Sequence, residues 1–422
     1  MQSINTKYFA ACLGFCLMLS LNGCGTSGDN GSDNALGVYN IRQIVAADNK
    51  TQRTIMWDSK AKQNEYNLEL RSTDGRKILN SKAQDYCFKD GKGAYIQYGT
   101  YIQGLEPNKK YEYRINNGTA KGSWHKLSTD NGSNFKALIF PDSQCSDYSA
   151  WQKLSKEAFA RNNDADFFIN MGDLTDNGED NWQWQEWFKG TYDYNHSIPH
   201  APLIGNHETY TLNWKVRHPN AYVNLFNVPD NGLPKYKHQF YSFDYGPVHF
   251  TMLDTNYDKE LKDLQPQLRQ EQLAWLEQDL SKTKAKWKVV LMHKDILIYQ
   301  FSKDSGRAKK WDTHFTNVGK DTMPIFEKYG VDAVLTAHLH TYRRRVPLRQ
   351  FAPDPKGITY ILTGVAGNVQ YAKLWDNWEN DAARAPYPET MNYLTMEAAP
   401  DKIFIQCFLP DGKKIDEVTL QK

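Results

Sequence analysis

The stretch AVLTAHLHTYRRR, residues 333–345, is apolar up to Ala337, then sets His338 and His340 two residues apart ahead of three arginines. A strand repeats its side-chain direction every second residue, so His338 and His340 are expected on one face, with Leu339 turned the other way. Two neutral imidazoles would then reach one space. Taken alone, the pair reads equally well as a polar strand end. Its meaning depends on whether other segments deliver ligands to the same place.

Four other apolar runs finish in the same manner. FKALIF leads into Pro141, Asp142, Ser143 and Gln144; ADFFINM into Gly172 and Asp173; HAPLI into Gly205, Asn206, His207 and Glu208; and WKVVLM into His293. A solitary Gly-Asp carries little information, but five strand-length runs each ending in a carboxylate, carboxamide or imidazole point to a shared site. Helical stretches lie between several of them. SAWQKLSKEAFA places Trp151, Leu154, Ala158 and Phe159 on one stripe, and LAWLEQDL does the same with Leu273, Leu276 and Leu280. Buried strands alternating with helices imply a layered α/β domain whose ligands collect beyond the strand ends.

Composition sets the limits. With 422 residues, 40% hydrophobic and 24% charged, the chain has core material for two folded units. A net charge of +2 favours neither a nucleic-acid-binding surface nor a polybasic membrane face. Lys7 and the apolar run YFAACLGFCLMLSL read as an export signal, too short to span a bilayer comfortably. Its ending, LNGC, resembles a bacterial lipoprotein processing site, so residues 1–24 are expected to be a signal peptide closing on a lipidated Cys24. Residues 25–34 follow as a flexible tether. A membrane-anchored lipoprotein, periplasmic or at the cell surface, is the expected location, with ordinary secretion as the alternative. The remaining Cys87, Cys145 and Cys407 suggest neither a disulfide framework nor a zinc cluster.

Residues 35–130 alternate apolar and polar in RTIMW, YNLEL, AYIQY and KYEYRI, an antiparallel β pattern. GLEPNKKYEYRI resembles the fibronectin-III-like sandwich found ahead of purple acid phosphatases, a spacer or docking module. From about residue 135, the motifs PDSQ, GDLTDNG, GNHE, LMH and AHLHTYRR resemble the calcineurin-like metallophosphoesterases, and within them the purple acid phosphatase branch. The resemblance implies a four-layer αββα domain over residues 135–422, preceded by the small β-sandwich, with a two-metal centre on loops at one edge. Carried over, Asp142, Asp173 and His340 would hold one ion, and Asp173, Asn206, His293 and His338 the other, Asp173 bridging them. Such a donor set suits iron, manganese or zinc, divalent or mixed-valence. His207 would contact the phosphate or protonate the leaving alkoxide, with Glu208 orienting its far nitrogen. The implied activity is hydrolysis of phosphate esters by metal-activated water, on a small phosphorylated substrate, with monoesters favoured. A phosphodiesterase or nucleotidase on the same site, or a surface-binding lipoprotein without turnover, are the alternatives.

The chain departs from that pattern at three places. Gln144 stands where many relatives have histidine, and could ligate or hydrogen-bond a water. Asp176 stands where purple acid phosphatases bring a tyrosinate, the group on which their colour and ferric preference depend. LMHKDILIY lacks the usual proline, so Lys294 and Asp295 are expected to reshape the substrate rim. Other candidates are expected to be structural: His196, His200, His218, His238, His249 and His314, and at least two of Trp182, Trp184 and Trp187. The arginines 343–345 read as a solvated face, or else as groups that neutralise substrate phosphate.

Overall fold

The computed structural model describes residues 31–63, 65–298, 315–369, 380–386 and 390–422. The signal peptide, Cys24, most of the tether and His314 lie outside the described residues. Two large sheets face each other. One has seven strands in the order Tyr241–Tyr245, Val248–Leu253, Trp287–Met292, Ala333–Thr336, Thr359–Thr363, Tyr342–Arg345 and Asp381–Arg384. Phe135–Phe140, Phe167–Asn170 and Pro199–Pro202 lie side by side and parallel in the other, which has ten strands.

The two-residue side-chain period explains the layering. Along Trp287–Met292, Trp287, Val289 and Leu291 enter the core between the sheets, while Val290 and Met292 enter a second core beneath the helices Leu268–Lys282 and Asn317–Tyr329. Phe135, Phe167, Phe243, Tyr245 and Phe250 interlock across the inner core with ring centroids 4.4–6.0 Å apart. On the far side of the ten-stranded sheet, the helices Ser149–Arg161 and Asn181–Thr191 supply Trp151, Leu154, Ala158, Trp184 and Trp187 to the core. The layer order is therefore helix, sheet, sheet, helix. The helix ends follow their sequence signals: Thr316 caps one by accepting from Gly319 N–H, and Gly330, at φ +64°, closes it.

The N-terminal region is rich in sheet and joined to this framework by hydrogen bonds. Val38–Ile44 pairs in parallel with Pro199–Pro202, and Arg53–Ser59, Gln97–Ile102 and Gln84–Asp85 extend the same ten-stranded sheet. A five-stranded sheet that includes Tyr66–Ser72 and Lys110–Asn117 covers it. Ile55 and Trp57 face Leu68, Leu70, Tyr113 and Ile115 in a separate core, while Met56, between them, turns to the opposite face of the sheet and joins the larger core. Arg42 is buried within the sheet, 3.0 Å from Asp58.

Two expectations for residues 333–345 are corrected. The strand ends at Thr336, and His338 and His340 lie on the following loop at φ +73° and +33°. The strand period does not bring them together; a left-handed loop does. Nor are the arginines a solvated face or a phosphate clamp. Arg343 and Arg345 are buried against Asp381, Arg345 also reaches Asp295 at 2.8 Å, and Arg344 pairs with Asp416 at 2.8 Å. Asp295 is thereby a buried counter-ion, and Lys294 is buried against Glu260. Both side chains are held in buried ion pairs rather than exposed at the rim.

Two of the remaining histidines, His200 and His249, do structural work. His200 lies flat on Phe168 at 4.3 Å and 3°, inside the aromatic core. His249 bridges Asp244 at 2.7 Å and Asp279 at 3.0 Å, and Asp279 also accepts from Ser242 and Thr251 hydroxyls. Burial opposes charge on this ring, but hydrogen bonds to the two carboxylates outweigh it and push the pKa up to about 9. His249→Gln is therefore expected to cost about 1–3 kcal/mol of stability. A raised histidine pKa stabilises fully below the unfolded value near 6.5 and ceases to do so as pH rises through the folded value. The penalty should be largest at pH 6 and fade above about pH 9. Urea unfolding of both proteins across that range measures it, and a penalty independent of pH would assign the effect to packing alone.

Candidate metal and phosphate site

The parallel strands of both sheets end on one edge, and each turn there carries a polar side chain inward. Asp142 and Asp173 follow strands of the ten-stranded sheet, as do Asn206 and His207; His293 and the loop of His338 and His340 follow strands of the other. The turns are tight because the backbone must pass close to the ligands. Gly172 has φ +94°, and a Cβ there would lie 2.5 Å from His293 Nδ1. A Cβ on Gly205 would lie 2.1 Å from Asp173 Oδ1. Asp173 itself has φ +47°, an uncommon conformation for a residue with a side chain.

Two groups of donors result. Asp142, Asp173 and His340 present ligand atoms within 4.8 Å of one another, and so do Asp173, His293 and His338. Asp173 belongs to both. Asn206 Oδ1 lies 3.2 Å from His293 Nε2, beside the second group. Every residue expected at the metal centre is thus brought to this edge.

The protons show what the arrangement is built for. His293 Nδ1 donates to the Met171 carbonyl at 2.9 Å, and His340 Nδ1 to the Val369 carbonyl at 2.6 Å. A carbonyl only accepts, so in the neutral rings the opposite Nε2 atoms carry lone pairs. His293 Nε2 then faces Asp173 Oδ2 at 3.0 Å, and His340 Nε2 faces Asp142 Oδ2 at 3.1 Å. Acceptors in contact repel unless a proton or a metal ion lies between them. Asp142 Oδ2, Gln144 Oε1 and His338 Nδ1 are also buried without a hydrogen-bond partner. The residues fit a bound cation pair.

The charges agree. Burial pushes Asp173 up, but His293 and His207 hold its carboxyl far below the usual range. Burial lowers His293, yet Asp173 and then Asp142 outweigh it and raise the ring to about 10. Desolvation, and then the neighbouring His293, hold His338 well below its ordinary value.

His207 stands at the mouth of the site, its side chain 14% exposed. Its Nδ1 donates to the Asp176 carbonyl at 2.7 Å, and its Nε2 lies 3.5 Å from Gln144 Nε2. The resemblance gave the orienting role to Glu208; the structure gives it to that backbone carbonyl. Glu208 instead accepts from the N–H groups of Gly205 at 2.7 Å, Leu174 at 2.8 Å and Asp173 at 3.0 Å, tying two ligand turns together. The Asp176 side chain is 3.5 Å from Gln144 Nε2 and 3.6 Å from His207 Nδ1. Trp184 and Trp187 are core, while Trp182 is exposed. Sequence reading missed Tyr210 and Trp214, whose rings stand 5.7 and 5.8 Å from His207; no motif contains them.

The family model for calcineurin-like phosphoesterases matches residues 125–342. The chain belongs to that family. Within it, the chain is similar to purple acid phosphatase 23 of Arabidopsis thaliana, 27% identical over 44% of this chain and 38% of that protein. It is also similar to an acid phosphatase of Aspergillus ficuum, 25% identical over 47% and 44% respectively. The chain thus spans less than half the length of these curated relatives. Among solved structures, the purple acid phosphatase PPD1 from yellow lupin (Lupinus luteus) seeds superposes with a TM-score of 0.74 at 17% identity, covering 91% of this chain and 74% of that one. PhoD superposes with a TM-score of 0.61 at 14% identity, covering 94% of each. These two likenesses concern the fold.

Metal loading should displace protons. A ring held protonated by two carboxylates loses its proton when its nitrogen becomes a ligand, so titrating zinc or manganese into metal-free protein at pH 7 is expected to release about one proton per site containing His293. Apparent affinity should rise with pH toward about 10. Calorimetry in buffers of different ionisation enthalpy checks this, and a binding heat indifferent to buffer would contradict it.

Proposed function

We propose that the protein is a metal-dependent phosphoester hydrolase that favours small phosphomonoesters. The observation carrying this reading is the pair of donor groups sharing Asp173, with ring protons committed to backbone carbonyls. Asp142, Asp173 and His340 would hold one ion, and Asp173, Asn206, His293 and His338 the other, with iron, manganese or zinc as the metals; Gln144 is an additional candidate ligand. Two bound cations would neutralise phosphoryl oxygens and make a water acidic enough to attack at neutral pH.

The chain's own groups do the rest. Asp173 is held in place by Glu208 at its N–H, and its Oδ1 accepts from His207 N–H at 2.8 Å. With Nδ1 tied to the Asp176 carbonyl, His207 turns Nε2 toward the site, where it can bind a phosphoryl oxygen or pass a proton to the departing alkoxide. Glu208 maintains the turns rather than moving a proton. Asp176, a carboxylate beside His207 and Gln144, offers no phenolate for a charge-transfer colour.

The same proposal extends to placement. Residues 1–24 would direct export and end in a lipidated Cys24, 25–34 would tether the protein to a membrane, and 35–130 would be a fibronectin-III-like sandwich leading into the 135–422 domain. Among the described residues, no helix is long and apolar enough to cross a membrane. Cys24→Ser is expected to release the protein from membranes or block its processing, measured by fractionation; a wild type that is soluble and lipid-free would leave simple secretion.

Two substitutions test the site. Asp173→Asn should abolish turnover and full metal loading, because a neutral amide cannot bridge two cations; unchanged metal content and rate would remove the binuclear reading. His207→Ala should retain two metals by elemental analysis yet lose rate by roughly 10²–10⁴, the span of a positioned acid. Wild-type turnover in that variant would exclude the role.

A further inference from the structure

Beside the mouth of the site, the chain makes a short hairpin. Tyr210 bridges to Val216, Thr211 N–H donates to Lys215 O at 2.8 Å, and Trp214 N–H to Thr211 O at 2.8 Å. Residues 212 to 216 are exposed, and Trp214 is 55% exposed at φ +58°. An L-residue with a bulky side chain rarely adopts that backbone, and an exposed indole gains nothing from it by burial. The surroundings nevertheless hold it there. Leu212 N–H donates to Glu179 at 2.7 Å, Thr211 O accepts from Asn177 Nδ2 at 2.6 Å, and Arg217 forms a two-pronged ion pair with Asp90.

The hairpin is thereby fixed to the loop that follows Asp176, the residue whose carbonyl orients His207. The rings of His207, Tyr210 and Trp214 stand at the corners of a near-equilateral triangle with sides of 5.7, 5.7 and 5.8 Å. The indole meets the imidazole edge-on, at 88°. Its contacts with His207 and Tyr210 fix the ring, while more than half of the residue stays open to solvent. On the phosphoester reading, a group leaving the phosphate past His207 would emerge next to an uncovered aromatic surface packed against His207 and Tyr210.

We infer that Trp214, braced by Tyr210, is a specificity residue that stacks on a flat aromatic ring in the alcohol portion of the substrate, whether an aryl group or a nucleobase. The inference rests on the phosphoester reading above and deepens it. Stacking suits a planar ring because its whole face contacts the indole, whereas a flexible polyol makes fewer contacts and loses more freedom on binding.

The test compares kcat/KM of the metal-loaded protein for phenyl phosphate and adenosine 5′-monophosphate with that for glycerol 2-phosphate and ethyl phosphate. Trp214→Ala should lower the aromatic-to-aliphatic ratio about tenfold, mainly through KM, and Trp214→Phe should restore most of it. Leu212→Ala, an exposed neighbour on the same hairpin, should leave the ratio where it stands, showing that the effect is not loss of the hairpin. A fall for phenyl phosphate alone or for the nucleotide alone identifies which ring the subsite takes. An unchanged ratio in Trp214→Ala, or an equal fall in Leu212→Ala, would overturn the inference while leaving phosphoester hydrolysis intact. Failure of the wild type to hydrolyse any of the four esters would overturn the phosphoester reading, and this inference with it.

Discussion

The carboxylate of Asp173 is the constraint on which the site depends. It lies fully buried at a backbone conformation that side chains disfavour, with its N–H held by Glu208 and one oxygen accepting from His207 N–H. Its other oxygen faces the Nε2 of His293, whose Nδ1–H is committed to a carbonyl. Water is excluded, so the negative charge must be balanced locally by a proton or a metal. The tight glycine turns, the left-handed histidine loop and the sheet edges that bring five segments together all serve that juxtaposition.

Glu208 carries a related conflict. Burial and the neighbouring Asp173 charge push its carboxyl up to about 7, while backbone N–H donors from Gly205 and Leu174 favour the ionised form. Two acidic groups so close are both ionised only when positive charge is near. The demand for a cation therefore reaches past the ligands into the turns that hold them.

The candidate donors were legible because they follow apolar runs of strand length, and the family resemblance implied how they would divide between two ions. The reason His338 and His340 converge was not legible, since the strand stops at Thr336 and the loop takes over. Backbone carbonyls at Met171, Asp176 and Val369 fix the ring tautomers and leave no mark in the sequence, which is why Glu208 looked like the partner of His207. The arginine run was misread because its counter-ions Asp295, Asp381 and Asp416 are distant in the chain. Trp214 escaped notice because an exposed aromatic in a polar stretch has no periodic partner.

The parallel pairing of Val38–Ile44 with Pro199–Pro202 bears on how the molecule assembles. The strand leading into Asn206 and His207 is flanked on one side by Phe167–Asn170 and on the other by a segment from near the start of the chain. That second contact closes a very long loop, and such contacts form only after much chain entropy has been lost. Until it forms, Pro199–Pro202 is a sheet edge with unpaired backbone groups. The N-terminal region and the candidate metal edge therefore share one sheet, and its completion waits for strands synthesised much later.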